Sequence, residues 1–340
     1  MRAWALVFVL PVSILAYGLY VGATSPVEQA KVIRLGHILN QQHPVHKAME
    51  FMAEDLWKRS GGELRLEIYP DEQLGPEREL VEMLQIGSLG MTKVSTGVLE
   101  GFSPKISILS LPYLFRDREH FWQVMDGPIG EELLDVSLPF NLKGVAYYDA
   151  GARSFYVNKR SGKAVRTPED LYGLSIRVMK SKTAVRMVEV LGANPVPIPF
   201  GELYSALDTG TVDGAENNPP SLHTSKQYEV SSVYSLDEHT LVPDIIIMSR
   251  DAWERLTPQE QKWIKESAQA SSIYQRKLWE QAEAEAFAEM EKAGLKINKD
   301  VDKEAFRKKA AAMYEDKDYQ TPEIQDLIQR ILATTERPRQ

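Results

Sequence analysis

The sequence predicts an α/β fold built in two units and braced by one long helix. Three observations carry that prediction. Segments of period-two apolar alternation are followed repeatedly by segments with apolar residues three and four apart, the pattern of strand then helix. The alternation restarts near Gly151, well inside a chain of 340 residues, a length that suggests two domains. No glycine or proline interrupts the stretch from Gln259 to Ala293, and a helix of that length would extend ~50 Å, longer than one small domain is wide.

The first residues stand apart. Met1 and Arg2 precede an uncharged, mostly apolar run that lasts until Glu28, which is a secretory signal pattern with small residues before a mature start near Thr24. Residues 1–23 are therefore read as a signal peptide and the protein as periplasmic. The alternative is an inner-membrane anchor, since the run reaches the ~20 residues needed to span a bilayer. The chain has no cysteine, so neither a lipid-attachment cysteine nor a disulfide framework is available.

The spacing next predicts a strand over 31–39, a turn at "NQQHP", and a helix with Met49, Met52, Leu56 and Trp57 on one face that stops at Gly61 and Gly62. "ELRLEIY" alternates strictly and reads as a strand, "PDEQLG" as a turn, and 77–86 as a helix. In the second unit "SFYVN" reads as extended, Thr167, Pro168 and Asp170 suit cap, first and third helical positions, and "LSIRVM" is a strand before a helix over 182–191. "ANPVPIPF" is predicted as an extended connector, because three prolines in eight residues cannot form a helix. "GELYSALDTG" then makes a short helix ending at Gly210, and Asp213 with Gly214 suits a turn. Thr257, Pro258 and Glu260 form the capping signature of the long helix, whose acidic later turns read as a solvated face. The organisation suggests a doubly wound layer, in which ligands gather beyond the C-terminal ends of strands.

Composition narrows the function. With 43% hydrophobic and 26% charged residues, disorder does not fit. A net charge of −8 without a basic cluster argues against nucleic-acid binding. No phosphate-binding glycine loop, dinucleotide fingerprint or nucleophile elbow is present. His43, His46 and Glu50 have spacing that could bind a metal on one helix face, and with it a metal-dependent hydrolase or lyase acting on sugar acids is the competing enzyme class. No metal or other cofactor is predicted. Polar residues instead recur near predicted strand ends: Lys93, Ser95, Arg153, Arg177 and Asn217. Arginine grips a carboxylate through two parallel hydrogen bonds and amides satisfy hydroxyls, so their convergence would suit a hydroxylated acid. Arg177 lies mid-strand between Ile176 and Val178. It either lays its stem along a half-solvated strand face or lines a cleft and meets an anion.

The order "GARSFYVNKR", "RTPEDLYGLSIRV" and "LGANPVPIPFGELYSALDTGTVDGAEN", with "EIYPDEQLG", "LPYLFRDREHF" and "WERLTPQEQKWI", closely resembles the periplasmic solute-binding receptors of TRAP transporters, the DctP family, over about residues 30–330. The resemblance implies a two-lobed, Venus-flytrap fold of the type II periplasmic-binding-protein kind, spanned by a long helix. It implies lobe I over 30–150 plus 243–282 and lobe II over 151–242 plus 283–337. It implies a monomeric, non-enzymatic receptor that delivers solute to the small and large membrane subunits of the permease. The family's carboxylate clamp falls on Arg177, with Arg153 in support and Asn217 and Phe200 as pocket residues. Lys93 and Ser95 lie where ligand-specific contacts are found, although lysine is mostly exposed and a solvated face is the competing reading for Lys93, as a core aromatic is for Phe200. Met179 stands where related strands often carry proline. The sugar-acid branch is the most similar, so a hexuronate such as glucuronate or galacturonate is the expected ligand, with aldonates and C4-dicarboxylates as alternatives.

Overall fold

The computed structural model describes residues 30–335; the predicted signal segment lies outside them. Two sheets organise the chain. The first has the order β2-β1-β3-β10-β4, from β1 (Lys31–Gly36), β2 (Leu64–Tyr69), β3 (Met91–Ser95), β4 (Leu142–Tyr148) and β10 (Asp244–Ser249). The second has the order β11-β9-β5-β8-β6-β7, from β5 (Arg153–Asn158), β6 (Ser175–Val178), β7 (Asn194–Pro197), β8 (Gly214–Asn217), β9 (Ser231–Thr240) and β11 (Lys296–Asn298). Helices described below are α1 (Pro44–Arg59), α2 (Glu77–Gln85), α3 (Thr96–Leu99), α4 (Arg118–Met125), α5 (Pro128–Asp135), α6 (Lys182–Leu191), α7 (Leu203–Thr209), α8 (Pro219–Thr224), α9 (Arg250–Glu254) and α10 (Pro258–Lys292).

The sheets are mixed, a departure from the parallel layers expected of a doubly wound fold. In each, the reversed strand is the one that arrives from the other sheet. β5 follows β4 and lies antiparallel to β8 and β9; β10 follows β9 and lies antiparallel to β3 and β4. Two short crossings, after β4 and after β9, join the two units; helix α10 carries the chain across a third time, and the helix over 322–333 returns it to the first unit.

The proline-rich stretch was expected to be a connector, yet Asn194–Pro197 pairs in parallel with β6 as the edge strand of its sheet. An edge position tolerates prolines because the missing N–H faces away from the ladder. The helix over 182–191 is found as predicted, closing on Gly192 in the left-handed conformation. The turn at Thr167 carries the full capping box with Asp170.

Helix α10 runs 35 residues from a capping box in which Thr257 accepts from the Glu260 amide and Glu260 accepts from the Thr257 amide. Its first half packs Ile264 and Ala268 with Met49, Met52 and Leu56 of α1 in the core under the first sheet. Its last turns place Ala286 and Met290 in the core of the second, beside Tyr156, Tyr234 and Leu207. Each such side chain, when fully buried, contributes about 1.5–3 kcal/mol, so the helix is fixed at both ends and spans both units.

Between those ends Trp279 is fully buried against the first crossing. Gly151, at φ +59°, sits so close that an added Cβ would lie 2.9 Å from Trp279 Nε1. Glycine is required here twice over, for the left-handed backbone and for the contact. Gly151→Ala is expected to lower unfolding stability by roughly 1–3 kcal/mol through backbone strain and overpacking. Urea denaturation measures this, and an unchanged midpoint would show that the crossing is free to move off the helix.

Candidate functional site

The two units face each other across a narrow cavity of about 50 Å³. All six residues singled out by sequence line it: Lys93 and Ser95 from β3, Arg153 from β5, Arg177 from β6, Asn217 from β8, and Phe200 after β7. The strand ends explain the convergence, since β3, β6 and β8 all finish at the cleft. Arg177 pairs in register with Ala215, which places Asn217 two residues further along the neighbouring parallel strand and on the same face.

Arg177 does not occupy a solvated face. It is 2% exposed, between Ile176 and Val178, which are fully buried in the core on the other side of the sheet. Among the described residues its guanidinium makes one hydrogen bond, from Nε to the Ile198 carbonyl at 2.8 Å, and no ion pair. Burial pulls its pKa below the ordinary arginine value, the mark of a charge that the protein has desolvated without supplying a counter-ion.

The other two cations differ. Arg153 holds Glu216 through Nε and, at 2.9 Å, through a terminal nitrogen, which also donates to the Glu216 carbonyl at 2.9 Å. Its remaining nitrogen donates to Asn217 Oδ1 at 2.9 Å. Arg153 thus positions Asn217 as well as lining the cavity. The Glu216 pKa falls to about 2, because Arg153 and His239 outweigh the burial that would raise it. His239 lies behind, with Nδ1 2.6 Å from Asp237 Oδ2 and Nε2 3.5 Å from Glu216 Oε2. Burial would lower its pKa, yet the two carboxylates lift it to about 9.

Lys93 corrects the expectation of a solvated lysine. It is 2% exposed, with Nζ 3.3 Å from Glu77 Oε1 and 3.1 Å from Asp244 Oδ2. Burial opposes its charge, but Asp244 and Glu77 raise its pKa above the ordinary value. Glu77 is the first residue of α2 and Asp244 the first of β10; neither was picked out in the sequence. The only signal was an acidic residue at the start of an apolar run, which many surface turns share.

Ser95 caps α3, accepting from the Gly97 amide at 3.3 Å, and its hydroxyl lies 3.5 Å from Met179 Sδ across the cleft. The residue that replaces the usual proline therefore bridges the two units. Phe200 is half-buried; it packs against the first unit's core and lines two neighbouring crevices as well as the cavity. It is wall and core together.

The histidines do not form the metal face considered above. His43 caps α1, with Nδ1 accepting from the Val45 amide at 3.2 Å, so its Nε2 carries the proton and donates to Ser221 Oγ at 3.2 Å. His37 Nδ1 accepts from the Leu39 amide, which sets Nε2 to donate to His46 Nδ1 at 3.0 Å. Both ring nitrogens of His43 and the Nδ1 of His46 are engaged. Burial, with Lys93 nearby, keeps His43 well below its ordinary pKa and His37 at about 2. Among the described residues no group of three or more histidine, aspartate or glutamate side chains is arranged to hold a metal ion.

The raised His239 pKa has a stability consequence. A histidine that titrates near 9 when folded and near 6.5 when unfolded stabilises the fold fully below pH 6.5 and loses that contribution as pH rises through 9. Wild-type stability should decline between pH 6.5 and 9 by up to about 3 kcal/mol. His239→Gln should flatten that decline in urea unfolding at pH 6, 7.5 and 9; a parallel profile would mean that His239 is uncharged in the folded protein.

Comparison with known proteins agrees with this architecture. The family model described as bacterial extracellular solute-binding protein, family 7 (DctP), matches residues 35–320. A TRAP periplasmic solute-binding protein from Xanthobacter autotrophicus, solved with bound β-D-galacturonate, has a TM-score of 0.86 at 36% identity, covering 89% of this chain and 100% of that one. One from Chromohalobacter salexigens, with bound D-glucuronate, has a TM-score of 0.85 at 33% identity, covering 89% and 100%. The 2,3-diketo-L-gulonate-binding periplasmic protein YiaO of Escherichia coli is 32% identical over 277 residues, 82% of this chain and 84% of that protein. Proteins of this family are periplasmic, bind small organic acids and work with membrane permease subunits. Among the described residues no helix is long and apolar enough to cross a membrane. The two mixed sheets, the long bridging helix and the match over residues 35–320 together place this chain in the DctP family of TRAP-transporter periplasmic solute-binding proteins.

Proposed function

We propose that the protein captures a hexuronate, D-galacturonate or D-glucuronate, between its lobes, and hands it unchanged to the small and large permease subunits. Lobe I is built on the first sheet, over 30–150 plus 243–282, and lobe II on the second, over 151–242 plus 283–321; the expected extension of lobe II to residue 337 is corrected, because the helix over 322–333 packs back on lobe I, with Ile331 O 2.9 Å from His120 Nε2 and Arg330 2.7 Å from Glu132. The signal segment at residues 1–23 directs the receptor to the periplasm, where it acts as a monomer.

The observation that carries the ligand's chemistry is the pairing of the three buried cations. Lys93 has two carboxylates and Arg153 has one, whereas Arg177 has none. A desolvated guanidinium gains most from a ligand carboxylate that meets it through two parallel hydrogen bonds. The rest of the chamber is furnished for hydroxyls, by Asn217, Ser95 and the carboxylate oxygens around Lys93, and Phe200 offers a flat apolar face to a sugar ring. The relatives solved with galacturonate and glucuronate support a uronate over the aldonate and C4-dicarboxylate alternatives. Each carboxylate that lines the chamber already serves as a counter-ion, which supports a receptor over a hydrolase or lyase.

A thermal-shift screen of uronates, aldonates and C4-dicarboxylates, with NMR of the recovered compound, tests the receptor role: uronates should stabilise most and return unaltered. Matched methionine substitutions test the site. Arg177→Met should weaken D-galacturonate binding at least 100-fold by calorimetry while leaving stability unchanged or higher, because it removes a buried charge that no protein group neutralises. Arg153→Met should lower stability by about 3–5 kcal/mol, because it strands the buried Glu216. Near-wild-type affinity in Arg177→Met would reject the clamp.

A further inference from the structure

The cluster at the lobe I end of the chamber has an excess of negative charge. Lys93 contributes one positive charge, Glu77 and Asp244 two negative ones, and all three line the same cavity as Arg177. The geometry is fixed from three directions. Glu77 Oε1 also accepts from the Ser95 amide at 3.1 Å, which ties the carboxylate to the end of β3. Asp244 opens β10 directly opposite Ser95 in the antiparallel ladder. Lys93 holds one oxygen of each acid, Oε1 of Glu77 and Oδ2 of Asp244, leaving the other oxygen of each to accept from a ligand.

We infer that Glu77 and Asp244, held in place by Lys93, are the specificity-determining pair of this receptor: they accept hydrogen bonds from the hydroxyls at the ligand end remote from Arg177 and repel a second carboxylate there. This rests on the reading of the chamber as a uronate site with its carboxylate on Arg177. Hydroxyls are donors, and buried carboxylates are strong acceptors for them. A second carboxylate offers no donor and would bring a third negative charge to a buried cluster already carrying two against one. Juxtaposed like charges in a desolvated site discriminate strongly, and a site built for a hydroxyl rejects an analogue that cannot supply it. Sugar monoacids should be accepted, and diacids of the same carbon skeleton turned away.

The test compares D-galacturonate with galactarate, the diacid of the same sugar, by calorimetry on the full-length mature protein at pH 7.5. The wild type should favour galacturonate by about 100-fold or more. Asp244→Asn and Glu77→Gln each remove one negative charge with little change of shape, and each should bring galactarate within about tenfold of galacturonate. A gain of diacid binding cannot arise from damaged folding. If Asp244→Asn proves unstable, Glu77→Gln at the start of a helix decides. The inference is overturned if the wild type binds galactarate as well as galacturonate, or if a folded variant keeps the full preference. A wild type that binds galacturonate but fails these comparisons leaves the receptor reading intact, whereas one that binds neither acid overturns both.

Discussion

A single uncompensated guanidinium governs the site. Burying a charge without a partner is costly, and the cost is tolerated only where something outside the protein relieves it. Arg177 sits in that condition on a short strand whose other side chains fix it in the core. Around it the protein has neutralised every comparable cation: Arg153 through Glu216, and Lys93 through Glu77 and Asp244. On the reading proposed above, this contrast makes one anion site and two scaffolds of three positive residues. It also links binding to lobe closure, since Arg177 belongs to one sheet and the Lys93 cluster to the other, so a ligand that touches both holds the lobes together.

The fold supplies the alignment that such a site needs. Each sheet contains one strand delivered from the other, and those two crossings lie beside the fully buried Trp279 of α10 or at the entry to β10. The helix is embedded in both cores. Across the cleft the units touch through Asn40 Nδ2 to the Thr224 carbonyl at 2.7 Å, the Gly201 amide to Glu72 Oε1 at 3.0 Å, and Ser95 against Met179, and beside it through the buried Glu100, which accepts from Ser181 Oγ at 2.8 Å and from the Thr183 amide at 2.9 Å. One apolar cluster includes Val94 and Val98 of the first unit and Val178 and Met179 of the second, so the seam is packed as well as hydrogen-bonded, while the long helix and the crossings preserve register.

Much of this was legible before any coordinates. Period-two and helical spacing located β1, β2, β5 and β6 and the helices α1, α2, α6, α7 and α10 to within about three residues, because burial on one face is written directly into the order of side chains, whereas β4, β9, β10 and β11 were not picked out. The departures have physical causes. The prolines of 194–197 hid an edge strand, since proline is tolerated where no ladder bond is needed. Strand direction within the sheets was not visible, because it depends on which unit the chain has just left. For the site, Arg177 stood out as a charge in an alternating strand, but its lack of a partner could not be read from spacing. The competing reading of Lys93 as a solvated side chain fails for the complementary reason: its two counter-ions lie on α2 and β10, 16 residues before it and far after it in sequence. His43 and His46 suggested a metal through their spacing, whereas backbone amides and neighbouring side chains had already taken their ring nitrogens.

The most direct measurement is a crystal structure of the protein grown with D-galacturonate. The account predicts the carboxylate lying flat against Arg177 in a two-bond fork, with ring hydroxyls reaching the Glu77 and Asp244 oxygens that Lys93 does not hold. A sugar turned end for end, its carboxylate on Lys93 and Arg177 facing only hydroxyls or solvent, would contradict it.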